Sequence, residues 1–224
     1  MPNDSPRIIT SIDEHPRRRG RFVVSVDGAE IATVTADDIA DLRIRAGETL
    51  SASTVATLQV RGRRTTVLDH ALRLLAVRAR ATSELKQALL RSKDRPLADD
   101  VKWTISTLTE RGYLDDARFA DQFVRDRASS RGWAKHRMRQ ELRKRGVSQA
   151  HVEPALTQGD EDAAIDDERS ATEAARKWRR THSARDPERD RQRLYGFLAR
   201  RGFSPDVIRS AMRSALGMGD GESL

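Results

Sequence analysis

Apolar residues at the start of the chain follow the two-residue period of a strand. In the run 20–34 they alternate with other side chains up to Asp27-Gly28, and a second apolar run follows that pair. An Asp-Gly pair between two such runs is a strong hairpin signal, because both residues tolerate the positive φ angles of a tight turn. The pattern predicts a β-hairpin with its turn at residues 27 and 28.

Two short helical segments accompany this hairpin. Thr35 precedes acidic residues and an apolar periodicity that ends at Leu42, and a second segment lies near 52–60. A run of three arginines within residues 16–20 predicts a basic loop ahead of the hairpin. We assign residues 1–65 to a small N-terminal unit that combines the hairpin with these short helices.

From Thr66 onward an apolar spacing of three to four residues replaces the strand signals and predicts helices. The first helix passes through Ala71, and the second contains Leu85, with Thr82 or Ser83 placed to cap it. A third helix runs to a stop at Gly112. These three helices form one three-helix unit.

The three-helix pattern then occurs twice more. The second copy opens at Asp115-Asp116, and the third copy has a break at Asp186-Pro187 before its middle helix. The copies align at two apolar positions of the middle helix, which are Leu85, Met138 and Leu194, and Leu89, Leu142 and Leu198. The expected fold is mainly α, with three tandem three-helix repeats in an elongated, curved array behind the N-terminal unit. The predicted segments are 1–65, first repeat 66–112, second repeat 113–158, third repeat 159–218 and a tail 219–224.

Positive charge is concentrated in the second repeat. The chain has 42 Lys and Arg against 34 Asp and Glu, and residues 125–145 hold nine basic residues against two acidic ones. Only six basic residues of the whole chain are lysines, so guanidinium groups, which bind phosphate and carboxylate bidentately, supply most of the positive charge. The window predicts a polyanionic or acidic partner, although a solvated helix face would also show such a run.

The predicted helix 134–145 places these charges beside an apolar stripe. Ala134, Met138 and Leu142 share the stripe, and a basic ridge of Lys135, Arg139 and Arg143 follows at i, i+4 and i+8 on one flank. Arg137 and Lys144 lie on the other flank, and the basic residues at the helix end also suit the helix dipole. The predicted partner-binding residues are Arg125, Arg127, Arg131, Lys135, Arg137, Arg139, Arg143, Lys144 and Arg145.

Short motifs run through residues 111–147 in a fixed order. A Gly-Tyr-Leu-Asp-Asp sequence at 112–116 is followed by Phe119-Ala120 with Phe123, by Arg131-Gly132 and by Lys135-His-Arg-Met138. Glu141-Leu142 then leads to Arg145-Gly146-Val147. In this order and spacing, the segment resembles the RecX family of bacterial recombination regulators. The resemblance is looser over 66–110 and 148–216, and the N-terminal unit is similar to that of longer family members.

The resemblance implies a cytoplasmic regulator that binds RecA. Family members are thought to lie in the groove of the RecA filament on single-stranded DNA, to inhibit its recombinase, ATPase and coprotease activities, and in some cases to bind DNA. Such a role links the chain to DNA repair and the SOS response. We expect a monomer, and the chain has no run of 18 apolar residues that would suggest a membrane span.

Catalytic and metal-binding patterns are missing from the sequence. The chain has no cysteine, no phosphate-binding loop, no nucleophile elbow and no zinc-protease motif, and its five histidines are scattered. Asp115 and Asp116 are interpreted as helix-capping groups rather than a metal pair. We therefore expect no enzymatic activity, no cofactor and no metal.

The tryptophans are interpreted mainly as packing residues. Trp133 starts the basic helix, where it either packs onto the core or stacks on a base, and the first role is favoured. Trp103 and Trp178 are assigned to packing by the same reasoning.

Two other functions remain open from the sequence. The chain could be a stand-alone DNA-binding protein, because three-helix units also build helix-turn-helix modules. However, residues 159–224, which comprise the third repeat and the tail, hold 13 basic and 13 acidic residues, whereas a tandem DNA reader would carry a basic helix in each unit. A helical scaffold without a nucleic-acid contact is the other alternative, but it leaves the basic window unexplained.

Overall fold

The computed structural model describes residues 7–163, 166–182 and 187–216. The strands are β1 (Arg7–Glu14), β2 (Arg21–Val26), β3 (Ala29–Thr35) and β4 (Thr49–Leu50). The helices are α1 (Ala36–Leu42), α2 (Ala52–Val77), α3 (Thr82–Leu90), α4 (Ala98–Glu110), α5 (Asp116–Arg131), α6 (Lys135–Lys144), α7 (Gln149–Ala163), α8 (Asp167–Thr181), α9 (Pro187–Arg200) and α10 (Pro205–Leu216). The protein is therefore mainly α with one small sheet at its N-terminal end, as the sequence predicts.

The N-terminal sheet is larger than the predicted hairpin. Its order is β3-β2-β1-β4 with antiparallel pairing throughout. The β2–β3 hairpin and its turn are confirmed, since Asp27 and Gly28 adopt φ angles of 50° and 79°. Strands β1 and β4 were not predicted, because β1 lacks alternation and buries only Ile9 completely.

One long helix replaces two predicted ones. The segments near 52–60 and from Thr66 onward were expected to be separate, which is wrong, because α2 is continuous from Ala52 to Val77. Its first half packs against the sheet, where a Cβ on Gly62 would lie only 2.9 Å from that of Ala32. Its second half contributes Val67 and Ala71 to the core of α3 and α4. The predicted boundary at 65/66 thus lies inside a helix that serves two cores.

Two compact units divide the chain. One comprises Met1–Arg80 with Glu84–Leu114, and the other comprises Ala81–Ser83 with Asp115–Leu224. In the second unit, α5–α7 (the second repeat) and α8–α10 (the third repeat) each enclose a core. Helix α7 extends past the predicted boundary at 158/159. The tail 219–224 lies outside the described residues, as does Asp186 of the predicted break, while α9 begins at Pro187 as expected.

The aligned apolar positions of the repeats are confirmed as core residues. Leu85, Leu89, Met138, Leu142, Leu194 and Leu198 are all at most 1% exposed. Burying a side chain of this size stabilises a fold by roughly 1.5–3 kcal/mol, so the pattern that defines the repeats also supplies much of their stability. The first helix of the third repeat has few large apolar groups, yet it buries three alanines together with Trp178.

A junction of three contacts between neighbouring helices occurs twice within the second unit. Ala134 is buried in the third-repeat core, the backbone N–H of Lys135 donates to Asp167 Oδ1 at 3.2 Å, and a Cβ on Gly202 would lie 2.5 Å from that of Arg137. The equivalent contacts are made by Ala81, by Thr82 N–H with Asp116 Oδ1 at 2.8 Å, and by Gly146 against Ser83. An acid at the start of one helix thus caps the start of another, which satisfies an N–H that the helix itself leaves unpaired.

This junction corrects one predicted cap and confirms another. Neither Thr82 nor Ser83 precedes α3 as a cap, since the helix already begins at Thr82, and the Thr82 N–H is bound by Asp116. Asp115 does cap α5, accepting from the N–H of Arg118 at 2.9 Å. The Asp115-Asp116 pair therefore has two structural roles, one for each carboxylate.

Candidate partner-binding surface

The predicted basic window folds into the end of α5, a tight turn and α6. Gly132 ends α5 in the left-handed conformation, and its N–H donates to the carbonyls of Ala128 and Arg127. Trp133 follows this turn and packs edge-on to Phe123, with ring centroids 6.2 Å apart. The predicted apolar stripe is confirmed, because Ala134, Met138 and Leu142 are completely buried. The basic side chains consequently project from the margins of a closed core.

Three guanidinium groups surround the Trp133 ring. Their Cζ atoms lie 4.2 Å (Arg137), 5.5 Å (Arg127) and 5.7 Å (Arg131) from its centroid. Trp133 is half-buried against the second-repeat core, which favours the predicted packing role over base stacking. A guanidinium held on an aromatic face keeps its N–H edge available for an anion, so the ring also orders the arginines.

Arg201 from the third repeat lies beside this group. Its Nη1 is 3.1 Å from the place that a Cβ on residue 132 would occupy, and its Cζ lies 4.2 Å from the Phe197 ring centroid. The backbone carbonyl of Arg201 accepts from the N–H of Ala134 at 3.0 Å. We call Arg127, Arg131, Arg137 and Arg201 the arginine cluster.

The arginine cluster carries positive charge that no described carboxylate shares. Among the residues whose side chains the structure describes (7–157, 166–182 and 188–216), no Asp or Glu lies within 4.0 Å of any of its four guanidinium groups. Burial and the charge of Arg137 lower the pKa of Arg201 below its ordinary value. Arg127 also has an Nε that is buried without a hydrogen-bond partner in the described part of the chain. Like charges that are held close together repel one another, and a bound anion would relieve that repulsion. The arginine cluster is therefore a surface suited to an anionic ligand.

The basic ridge on the other flank of α6 is partly neutralised. Glu153 of α7 accepts from Arg139 in bidentate fashion, with both N···O distances 2.9 Å, and lies 3.9 Å from Arg143. The hydrogen bonds with Arg139 lower the pKa of Glu153, and the same contact raises the pKa of Arg139. The ridge therefore presents less net charge than the sequence pattern suggests.

The remaining predicted residues lie around these two surfaces. Lys144 pairs with Glu141 at 3.6 Å, and the Arg145 Cζ lies 5.4 Å from the Phe123 ring centroid. Arg125 is exposed on α5. Thus the structure groups Arg127, Arg131 and Arg137 tightly, and it separates them from Lys135, Arg139 and Arg143 by the buried stripe.

Sequence reasoning missed Arg201 and Glu153. Net charge summed over residues 159–224 hides Arg201, because 13 acidic residues in that range balance the 13 basic ones. The available signal was the match of Arg145-Gly146 with Arg201-Gly202, which puts an arginine at the same turn in both repeats. Glu153 gave no comparable signal, since its contact with Arg139 depends on how α6 and α7 pack.

The described residues contain neither a candidate metal-binding group nor a candidate membrane-spanning helix. No group of three or more His, Asp or Glu side chains there is arranged to hold a metal ion. Within the same ranges, no helix is both long and apolar enough to span a bilayer.

Comparisons with known proteins converge on one family. The family model for the second three-helix domain of RecX matches residues 115–156, and the model for its third three-helix domain matches residues 166–212. The "Regulatory protein RecX" of Chromohalobacter salexigens is 42% identical over 147 residues, which is 66% of this chain and 91% of that protein. The protein of the same name from Mycolicibacterium smegmatis is 39% identical over 61% of this chain and 72% of its own length.

Solved structures share the fold. A crystal structure of regulatory protein RecX superimposes with a TM-score of 0.66 and 21% identity, covering 91% of this chain and 97% of that one. The RecX structure from Lactobacillus salivarius gives a TM-score of 0.55 at 18% identity, covering 70% and 98%. At these identities the likeness concerns the fold alone.

Proposed function

The chain belongs to the RecX family, a family of regulatory proteins rather than enzymes, and we propose that it binds RecA and the filament that RecA forms on single-stranded DNA. Binding inhibits the recombinase, ATPase and coprotease activities of RecA, in the cytoplasm, as part of DNA repair and the SOS response. The observation that carries this proposal is 42% identity over 91% of a protein named "Regulatory protein RecX". The chain acts as a monomer and needs no cofactor.

The arginine cluster is the proposed centre of the contact. It combines four guanidinium groups, an ordering aromatic ring and no described carboxylate partner. The filament offers anions of two kinds, DNA phosphates and acidic protein side chains, and guanidinium binds both bidentately. The wider proposed surface adds the other predicted residues, which are Arg125, Lys135, Arg139, Arg143, Lys144 and Arg145.

Filament binding should exceed binding to bare DNA. We expect the chain, labelled through Ser106→Cys in a protein that has no native cysteine, to bind RecA–oligo(dT) filaments at least roughly tenfold more tightly than oligo(dT) alone. A filament presents RecA surface in addition to phosphate, and protein contacts persist at salt concentrations that weaken phosphate contacts. Fluorescence anisotropy at about 0.05 and 0.15 M NaCl measures both affinities.

The same titrations distinguish a RecA regulator from a stand-alone DNA-binding protein. Equal affinity for bare DNA and for filaments, with the same steep salt dependence, would favour that alternative over a RecA regulator. Dye-labelled chain with RecA in the absence of DNA is the control for protein contact alone.

A further inference from the structure

The connection between β1 and β2 displays three consecutive arginines. Arg17 and Arg19 are exposed and Arg18 is half-buried, at the tip of a hairpin that the helical repeats do not include. The sequence marks this stretch only as a basic loop, and the proposed contact with RecA makes no use of it.

The hairpin tip, residues 15–20, is built from two successive turns. The N–H of Arg18 donates to the carbonyl of His15, and the N–H of Arg21 donates to the carbonyl of Arg18, each at 3.2 Å. His15 N–H closes the strand pair on the Arg21 carbonyl at 2.7 Å, and His15 Nδ1 accepts from the N–H of Arg17 at 3.1 Å. The backbone that carries the three arginines is thus ordered before any ligand binds, which lowers the entropic cost of binding.

The arginine at the base of the hairpin tip is paired with a carboxylate, whereas the arginines at the tip are not, within the described part of the chain. Arg21, one residue beyond the tip, binds Asp69 through Nε and Nη2 and has its pKa raised by that carboxylate. By contrast, none of the three tip arginines has a carboxylate within 4.0 Å among the described residues, although Asp13 and Glu14 are nearby in β1. Arg21, which anchors the hairpin, is thus neutralised by Asp69, whereas the charges of the tip arginines are available to an external anion.

We propose that the hairpin tip binds the phosphate backbone of a nucleic acid. Side chains of consecutive residues in a turn point in different directions, so one compact anion would not reach them all, whereas successive phosphates of a strand would. Guanidinium groups suit phosphate oxygens through bidentate hydrogen bonds. The tip contacts phosphates without reading sequence, as backbone contacts generally do. This contact belongs to the N-terminal unit and does not require RecA.

The test compares two double variants of the full chain. In Arg17→Gln/Arg19→Gln the fold is expected to be retained, because both side chains are exposed. The control, Arg169→Gln/Arg209→Gln, removes the same charge from exposed arginines that are paired with Glu173 and Asp206. The probe is RecA-free, fluorescein-labelled oligo(dT), and anisotropy is followed across a range of NaCl concentrations.

The tip variant should lose about 25-fold in affinity at about 0.1 M NaCl, and the slope of log K against log salt should fall by about 1.4, the value for two single-strand phosphate contacts. The control should change affinity less than about threefold, and Arg17→Lys/Arg19→Lys should keep the salt slope while binding more weakly than wild type.

Several outcomes would overturn the proposal. They are wild-type affinity in the tip variant, an equal loss in the control, or no binding of oligo(dT) by the wild-type chain at low salt. A tip variant that keeps its DNA affinity but no longer binds RecA filaments would assign the tip to an acidic protein surface instead. A loss of oligo(dT) binding in a chain that still inhibits RecA would support the tip contact while leaving the proposed regulatory function intact.

Discussion

Replacing Arg131, Arg137 and Arg201 together with Gln is expected to weaken binding to the RecA filament roughly 100-fold. Each of these guanidinium groups lies on an aromatic ring and has no carboxylate partner among the described residues. A charged hydrogen bond to an anion contributes on the order of 1 kcal/mol when it is partly exposed, so three lost contacts correspond to about two decades of affinity. Arg127 is left unchanged because its Nε is buried, so its replacement would disturb packing as well as charge.

A matched variant on the other flank of α6 serves as the comparison. Lys135→Gln/Arg139→Gln/Arg143→Gln also removes three charges, but Glu153 already neutralises part of that ridge. We expect this variant to weaken binding by about tenfold and to keep its helical circular dichroism, because the pair is partly exposed and contributes little to stability. Wild-type binding by the cluster variant, or a larger loss in the ridge variant, would move the contact away from the arginine cluster.

Replacing the three arginines with lysine distinguishes the contribution of charge from that of guanidinium geometry. Lys at positions 131, 137 and 201 would retain three positive charges but lose the planar contacts with Trp133 and Phe197. An affinity between those of the wild type and the Gln variant is expected if geometry contributes as well as charge. Circular dichroism of all three variants checks that the losses are not caused by unfolding.

Gly202→Ala is expected to destabilise the second unit by about 3 kcal/mol. Gly202 has a φ of 88°, and a Cβ there would lie 2.5 Å from that of Arg137 and 3.3 Å from its backbone nitrogen. An alanine must therefore adopt a left-handed conformation and also push α6 away, and each of these effects costs roughly 1–2 kcal/mol. Urea denaturation followed by circular dichroism measures the change in the free energy of unfolding.

Gly132→Ala is the control for this effect. Gly132 also has a positive φ, 53°, but a Cβ there would meet only the flexible end of the Arg201 side chain, at 3.1 Å. The control should lose about 1 kcal/mol, from the backbone conformation alone. If both variants lose the same stability, the close approach between Gly202 and Arg137 does not contribute, and the junction between the repeats is looser than the structure indicates.

The helical part of the fold could be predicted from sequence because its signals are local. Met138 and Leu142 recur at helical spacing, and Gly112 and Asp115 mark a stop and a start, so both helix bounds and core positions follow from neighbouring residues. The resemblance to RecX over 111–147 could also be found from local signals, because it rests on closely spaced motifs.

Features that depend on tertiary contacts were not predictable in the same way. Helix α2 was divided in the prediction into a segment near 52–60 and a helix from Thr66 onward, whereas in the fold one continuous helix runs past the sheet and Gly62 allows it to approach Ala32. Strand β1 has no alternation, and it is held by its neighbours on both sides. The pairing of Arg139 with Glu153 and the approach of Arg201 to Gly132 likewise join elements whose packing no local pattern specifies.

The ATPase activity of RecA on single-stranded DNA is the direct readout of whether this chain inhibits RecA. The chain is titrated into RecA and DNA at about 0.05 and 0.15 M NaCl, with the cluster variant as the matched control. We expect the wild-type chain to inhibit hydrolysis at amounts below one chain per RecA at both salt concentrations, and the cluster variant to require far more protein. Hydrolysis that continues at its full rate with equimolar wild-type chain under both conditions would contradict the proposed function.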